Sequence, residues 1–332
     1  MPRDPQTGKI RPMTPSEARD YHLYLTQYPG ALGISLNKSQ DDTIFHYSNV
    51  SGLKGICASK SLWSSDFRFM NDKSEINFGL RILEMIIARE PLGISGELRG
   101  EILKCIARMI EGRQSAYVFS TSFCKKGNLL SQWRTYGQRD GLAIEFRKEN
   151  IENDAQAQNF ITGKVHYYFS KNEDKQEGTL TQWIEHRVKT LQVAMEGIEK
   201  RIDEDFGADD TELKALVLNG ERSTILDRWI LETAAFIKHP VFEEECEWRA
   251  VRVVDTSDYR AVSIKDRSSG STVIPYIELA LNAHENSAIP VQRIIIGPNA
   301  DYDAIDHSVS HILRMAKITN YAVFRPDIPL RV

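Results

Sequence analysis

The order of helical and strand-like segments is the feature that most limits how this chain can fold. From about Glu177 to Lys238 the spacing of apolar residues predicts two helices, separated by a polar break at about 207–210. Segments rich in aromatic and β-branched residues lie on both sides, such as AYVFSTSF before this stretch and EWRAVRVV after it. Strands that flank a central helical insertion predict the α+β class, with one mixed or antiparallel sheet system.

The chain of 332 residues is long enough to bury a large core, and we predict two parts. Residues 1–40 are expected to form an N-terminal arm and a helix, because Thr14-Pro15-Ser16-Glu17 supplies an N-cap, a first-turn Pro and a capping-box Glu. Residues 41–332 are expected to form a single α+β domain that contains the helical insertion at about 175–238.

Composition limits the kinds of partner that we expect this chain to bind. A formal net charge of −4 indicates no overall electrostatic footprint for nucleic acid or an anionic membrane, although a local basic groove stays open. No run approaches the roughly 18 apolar residues of a membrane span, so we expect no membrane partner. The four cysteines show no CxxC spacing, which predicts neither a zinc site nor a disulfide framework and favours the reduced cytoplasm. The sequence is silent on oligomeric state.

Four glutamates crowd into five positions of HPVFEEECEWRAVRV, the segment from His239 to Val253. If a strand begins at Glu245, alternation places Glu245, Glu247 and Arg249 on one face and leaves a core-like Trp and Ala on the other. Two like charges on one face repel, and partial burial would raise at least one pKa, which Arg249 can offset. Two interpretations stay open: a solvated sheet edge with an ion pair, or a catalytic carboxylate at the mouth of a cleft.

A second candidate is Phe45-His46-Tyr47-Ser48-Asn49, at the end of a predicted strand and before a short helix. A His in this place can bind a hydroxyl or phosphate through its ring, together with the free amides of the helix. A satisfied structural His is the alternative. The segment LWSSDFRFMND, which ends near Asn71, is an aromatic and hydroxyl cluster with ordinary packing and capping as its alternative.

A third candidate is SQWRTYGQRDGLAIEF, in which Trp133, Arg134 and Tyr136 precede a strand. Arg beside aromatic residues suits nucleotide or phosphate contacts, and it suits a buried ion pair equally well. His307 and His311 have the i, i+4 spacing of a metal pair, but no Glu follows the first His and no third ligand is evident, so we predict no metal. No GxGxxG, Walker, GxSxG or paired Cys/His signature occurs.

Three segments together resemble a bacterial family known only as domain of unknown function 2971. They are FHYSNVSGLKGICASKSLWSSDFRFMNDKSE near the start, VFSTSFCKKGNLLSQWRTYGQRDGLAIEF in the middle and KHPVFEEECEWRAVRV late in the chain. In order and spacing, this resemblance covers about residues 43 to 255.

A more distant resemblance is to the ADP-ribosyltransferase fold, whose members open with a strand bearing a His and carry a catalytic Glu on a late strand. It implies that His46 holds the nicotinamide ribose of NAD, that Glu247 is the catalytic acid and that Glu245 handles the acceptor. The side chains expected to bind NAD, which would be a substrate, are His46, Tyr47, Trp63, Ser64, Asn71, Arg134 and Arg249.

Two departures from that pattern stand out. Many members stack the nicotinamide on a Tyr of the second strand, and here Trp63 or Phe67 would have to serve. Ser120-Thr121-Ser122 imitates the strand of another branch, but the Arg that this branch needs on its first strand is replaced by His46, so that match is set aside.

The resemblance implies an NAD-consuming ADP-ribosyltransferase-like enzyme or NAD glycohydrolase, of the kind that serves as a bacterial antiviral defence or toxin effector. The acceptor is left open between protein, nucleic acid and water. A carboxylate bonded to the ribose 2′-hydroxyl would stabilise the positive charge that develops on the sugar, as in glycosidases.

Two alternatives stay open. The first is a non-catalytic nucleotide-binding or sensor module that uses Arg134, Arg249 and His46 only for binding. The second is a nuclease-like or phosphotransfer enzyme acting on RNA. The transferase interpretation requires His46 and Glu247 to converge on one ribose, so a position on opposite faces of the sheet would lead us to drop it.

Overall fold

A computed structural model describes residues 43–70, 74–113, 116–136, 140–168, 173–205, 211–256, 259, 262–281 and 289–325. The arm and helix predicted for residues 1–40 lie outside these residues, as does Asn71.

Strands precede and follow a pair of long helices, as the sequence predicts for the α+β class. The strands are β1 (Thr43–Asn49), β2 (Ser61–Asp66), β3 (Ala116–Cys124), β4 (Gly141–Arg147), β5 (Ile161–Lys164), β6 (His166–Tyr167), β7 (Ile237–Lys238), β8 (Glu247–Asp255), β9 (Lys265–Ser269), β10 (Thr272–Ala280), β11 (Val291–Ile296) and β12 (Ala322–Phe324). The helices are α1 (Val50–Ser59), α2 (Glu75–Arg89), α3 (Gly96–Ile110), α4 (Leu130–Tyr136), α5 (Lys148–Ala157), α6 (Glu173–Asp205), α7 (Thr211–Ala234) and α8 (Tyr302–Met315).

Within the described residues, ten strands form one sheet in the order β12-β11-β4-β1-β3-β2-β10-β9, with β8 paired to β3 and β5 paired to β8. All these pairings are antiparallel except β11 with β12. The predicted α+β class with a mostly antiparallel sheet is therefore confirmed. A separate pair, β6 with β7, is parallel.

Strand β3 lies inside the sheet, because it pairs with other strands along both of its edges. Strand β8 pairs with it along its whole length. On the other edge, β1 pairs only at Cys124, while β2 pairs at Ser120 and Phe119. The two partner strands are joined by α1, which begins where the Asn49 side chain accepts a hydrogen bond from the Gly52 amide at 2.8 Å.

The cross-strand register defines the two faces of the sheet. Residues directly opposite each other in an antiparallel pair project to the same side. Phe45 pairs with Cys124, and Cys124 pairs with Glu247, so these three side chains share what we call the Glu247 face. The neighbouring residues His46, Phe123 and Trp248 project to the opposite side, which we call the His46 face.

Each face is covered by its own helices. On the Glu247 face, Val251 and Val253 belong to a core that also contains residues of α2, α3, α6 and α7, including Leu80, Ile106, Ile184 and Ile230. On the His46 face, Trp248 and Ala250 pack in a core with residues of α1, α5 and α8, including Leu53, Ile151 and Val309. The two long helices of the predicted insertion therefore form part of the domain core.

Helix α2 crosses α7 at a point that leaves no room for a side chain. A Cβ atom added at Gly79 would overlap the backbone of Ala234. We expect Gly79→Ala to lower the free energy of unfolding by about 1–3 kcal/mol, because the two helices must separate. Urea denaturation followed by circular dichroism measures this change.

Gly100→Ala on α3 is the matched control, since nothing lies within 4 Å of a Cβ atom at that position. The control should raise the free energy of unfolding by about 0.5–1 kcal/mol through helix propensity. Equal effects of the two substitutions would contradict the close crossing.

Candidate functional site

The glutamate-rich segment turns before it becomes a strand. Pro240–Glu245 forms a 3₁₀ turn, and its start is capped by the His239 ring, which accepts a hydrogen bond from the Val241 amide at 3.2 Å. Cys246 then adopts a left-handed conformation with φ 44°, and β8 begins at Glu247. The expectation that the strand starts at Glu245 is therefore wrong, because the capped turn and the left-handed residue delay it by two positions.

Arg249 lies at the centre of a buried ionic cluster on the Glu247 face. Its side chain is 0% exposed. Its Nε donates to Oε1 of Glu247 at 2.7 Å, and its Nη2 donates to Oε2 of the same carboxylate at 2.7 Å. Nη1 donates to the carbonyl of Ala235 at 2.6 Å, and Nη2 also contacts Glu75 at the start of α2. This guanidinium anchors the sheet to two helices, so it is not available to bind a phosphate.

Lys238 is the second cation of the cluster, and strand β7 carries it to the same place. Its Nζ donates to Oε2 of Glu245 at 2.7 Å and to Oε2 of Glu247 at 2.8 Å, and it lies 3.9 Å from Glu75. The lysine therefore bridges the two glutamates that the sequence singled out. The solvated-edge interpretation does not apply to Glu247, which is 4% exposed.

The environments of these two glutamates move their pKa values in opposite directions. Burial alone would raise the pKa of Glu247, but the charges of Arg249 and Lys238 outweigh burial and hold this pKa well below its usual range. Burial raises the pKa of Glu245, although Lys238 opposes the shift. The pKa of Glu247 is thus lowered and that of Glu245 is raised, so Glu245 binds a proton more readily than Glu247 does.

The bridge also limits how far apart the two carboxylates lie. Their Oε2 atoms are 2.7 and 2.8 Å from the same Nζ, and these two distances together limit their separation to about 5.5 Å. Retaining glycosidases place their two carboxyl groups about 5–5.5 Å apart. The upper limit on the Oε2 separation in this protein reaches that range, so both carboxylates lie near enough to contact one small group.

His46 does not join this cluster. Because Phe45 shares the row of Cys124 and Glu247, alternation sends His46 to the opposite face. Its ring lies 5.8 Å from that of Phe123, and its Nδ1 is 3.0 Å from the carbonyl of Ser122. Burial lowers the pKa of His46, so the ring is neutral. The expectation that His46 and Glu247 face one cleft is therefore wrong, because only the strand register fixes which side each residue takes.

The predicted binding residues of β1 and β2 are divided between the two faces. Tyr47 is on the Glu247 face, but its hydroxyl donates to the carbonyl of Lys126 at 3.0 Å and accepts from the Leu129 amide at 2.9 Å. Ser64 is on the His46 face, where its buried hydroxyl lies 2.6 Å from Thr121 Oγ1. Both side chains have structural partners.

Trp63 is the predicted binding residue that is best placed to contact a ligand. It shares the Glu247 face, its side chain is 43% exposed, and its ring stacks on Tyr276 with 4.6 Å between ring centroids. Ser120 and Ser122 belong to the same face, and their buried hydroxyls have no hydrogen-bond partner in the part of the chain described above. The exposed Trp63 ring suits contact with a planar ligand.

Two other features considered in the sequence lie elsewhere. Arg134 is exposed on α4, next to Trp133, whose ring packs edge-on against Tyr47 at 4.9 Å. On α8 the Nδ1 of His307 is 2.6 Å from the carbonyl of Asp303. Across the described ranges, no group of three His, Cys, Asp or Glu side chains is arranged to hold a metal ion.

Three residues of the cluster have no motif that reveals them in the sequence. Glu75 starts a helix, Lys238 ends an apolar run, and Tyr167 lies in the segment NFITGKVHYYF, whose composition predicts one continuous strand. That segment is divided into β5 and β6, and the Tyr167 hydroxyl accepts a hydrogen bond from the Glu247 amide at 2.9 Å. The only available signal was a Lys within an apolar run, which is uncommon in a buried strand.

Comparison with known proteins gives a family match over part of the chain and no activity. No curated protein and no solved structure matches the chain. No helix among the described residues combines the length and the apolar composition needed to cross a membrane. The family match includes the second half of the middle segment and most of the late segment, and the first segment lies outside it. Residues 132–250 match the family model described as "Protein of unknown function (DUF2971)", which supports the family resemblance read from the sequence.

Proposed function

We propose that this protein cleaves the N-glycosidic bond of a nucleotide, with NAD as the substrate, and passes the ribosyl group to water or to another acceptor. One observation carries the proposal: Lys238 holds Glu245 and Glu247 within about 5.5 Å of each other, and their pKa values are shifted in opposite directions. Two carboxyl groups with separated pKa values are the usual mark of paired acid–base roles.

The chemistry assigns a different task to each carboxylate. When the bond between C1′ and the nicotinamide nitrogen breaks, its electron pair leaves with nicotinamide, and positive charge develops on the ribose. The ionised Glu247 stabilises that charge. A water molecule, or a hydroxyl of a protein or nucleic acid, then forms the new bond to C1′. Glu245 accepts the proton that this oxygen loses.

Fewer side chains contact the substrate in this reaction than the ADP-ribosyltransferase resemblance implies. The transferase interpretation placed the ribose between His46 and Glu247, and those residues are on opposite faces. We therefore assign no ribose contact to His46, and Arg249 serves to hold Glu247 in place. Trp63, on the Glu247 face, remains the residue proposed to stack the nicotinamide ring. An NAD-consuming enzyme of this kind would suit a bacterial defence or toxin effector acting in the cytoplasm.

A specific observation favours a second candidate, a nucleotide-binding or sensor module without catalysis. Arg249 and Lys238 fill three of the roughly four acceptor positions of the Glu247 carboxylate, and the side chain is 4% exposed. A carboxylate so fully paired is also a structural anchor. In that case the surface around Trp63 would bind the nucleotide without cleaving it.

The deciding experiment incubates the purified protein with NAD labelled in the nicotinamide ring, with and without protein, DNA and RNA acceptors. Release of nicotinamide above the rate without enzyme supports cleavage. Equilibrium dialysis with the same label measures binding in parallel. Binding without release would favour the sensor module, and the absence of both would overturn the proposed function.

The role of Glu245 predicts how the rate depends on pH. The carboxyl must be ionised to accept a proton, and burial raises its pKa, so the rate should fall on the acidic side at a pH above the value of about 4.3 of a free Glu. Glu245→Gln should lose this limb of the profile of kcat/KM against pH. The exposed Glu244→Gln is the control and should keep it. An unchanged acidic limb in Glu245→Gln would assign the proton to another group.

A further inference from the structure

Tyr167 is placed at the ionic cluster by the short parallel pair of β6 and β7. In that pair Tyr167 lies opposite Lys238, the lysine that bridges Glu245 and Glu247. The Tyr167 hydroxyl oxygen accepts a hydrogen bond from the backbone amide of Glu247 at 2.9 Å. This contact fixes the phenol oxygen beside the first residue of β8, and the side chain is only half-buried.

The hydroxyl of Tyr167 still has a proton to donate. A phenol both accepts and donates a hydrogen bond, and the amide contact uses only its accepting side. Among the residues that the structure describes, no acceptor takes the Tyr167 proton. Burial raises the pKa of Tyr167, and the charges of Glu247 and Glu245 add to this shift although the amide contact opposes it. The group is therefore a permanent donor at neutral pH.

We propose that Tyr167 is a specificity-determining residue whose hydroxyl donates a hydrogen bond to a sugar hydroxyl of the nucleotide held at Glu247. This inference rests on the proposed function. A ribose hydroxyl donates its own proton to a carboxylate and uses its oxygen lone pairs to accept from a phenol, so the two groups together recognise a hydroxyl-bearing sugar carbon. The ligand class is accordingly a ribonucleotide, and a deoxy sugar would leave the phenol proton without a partner.

The test compares kcat/KM for NAD with that for analogues lacking the 2′- or the 3′-hydroxyl of the nicotinamide ribose. The wild type should discriminate against one analogue, because a site built to bond a hydroxyl rejects the compound that lacks it. Tyr167→Phe keeps the ring and removes the hydroxyl. It should lower kcat/KM for NAD by about tenfold and change the value for that analogue much less, so the discrimination shrinks by about the same factor.

A purely structural role gives a different result. Loss of the acceptor for the Glu247 amide would slow NAD and both analogues by the same factor, and the discrimination would be unchanged. That outcome would overturn the inference and leave the proposed function standing. Tyr168→Phe is the matched control, because its hydroxyl faces Met85 Sδ at 3.8 Å. If the wild type neither binds nor cleaves NAD, the proposed function itself fails, and the assignment of Tyr167 fails with it.

Discussion

Replacing Arg249 by methionine is expected to lower the free energy of unfolding by about 3–5 kcal/mol, the cost typical of breaking a buried ion pair from one side. The substitution keeps most of the volume and removes the charge. Glu247 would keep Lys238 as its cationic partner but would lose two charge-assisted hydrogen bonds, and Glu75 would retain only the more distant Lys238. The carbonyl of Ala235 would also lose its donor. Urea denaturation monitored by circular dichroism gives the change directly.

Arg81→Met on α2 is the matched control for this prediction. Arg81 is exposed, so the same chemical change at its position should stay within about 0.5 kcal/mol of the wild type. A loss below about 1 kcal/mol for Arg249→Met would mean that solvent reaches the cluster and screens it. The cluster would then be a surface feature and not the anchor described above.

Replacing Glu247 by glutamine is expected to lower kcat for NAD cleavage by about 10²–10³-fold. Glutamine has nearly the same shape but carries no charge, so the developing positive charge on the ribose would lose its stabilising partner. The effect should appear in kcat because the charge develops only as the bond breaks. The measurement is nicotinamide release at saturating NAD.

The control is Glu244→Gln, an exposed position in the same glutamate run, which should leave kcat unchanged. Near-UV circular dichroism checks that each variant is folded, because Glu247→Gln also removes a partner of Arg249 and Lys238. If Glu247→Gln does not fold, the less buried Glu245→Gln reports on the same carboxylate pair. A folded Glu247→Gln with the rate of the wild type would exclude Glu247 from catalysis.

The residues of the candidate site also stabilise the fold. Arg249 holds Glu247 in its ionised form, and the same guanidinium joins β8 to α2 and to the end of α7. A variant of this cluster therefore changes stability and chemistry together. The comparison of Arg249→Met with Glu247→Gln separates the two effects, because the first is expected to dominate in unfolding and the second in turnover.

Local patterns in the sequence predicted much of the fold. Alternation along β8 correctly assigned Trp248 and Ala250 to a core face, and the helical spacing before it marked the stretch that α6 and α7 occupy. The same alternation failed for Glu245, since a capped 3₁₀ turn precedes the strand. Strand period is visible in a sequence, whereas the residue at which the strand begins depends on a cap and on one left-handed residue.

By itself, the sequence determined the α+β class, the order of strands and helices and the choice of Glu247 as the residue to test. The class and the order of elements follow from periodicity and composition, which are local properties of the chain, whereas the choice of Glu247 follows from the family resemblance. Only the tertiary structure decided what surrounds Glu247. Glu75, Tyr167 and Lys238 come from three separate elements, and no short-range pattern links them to β8. The side of the sheet that His46 takes was likewise fixed by the pairing of Phe45 with Cys124, because a shift of one residue in register exchanges the two faces.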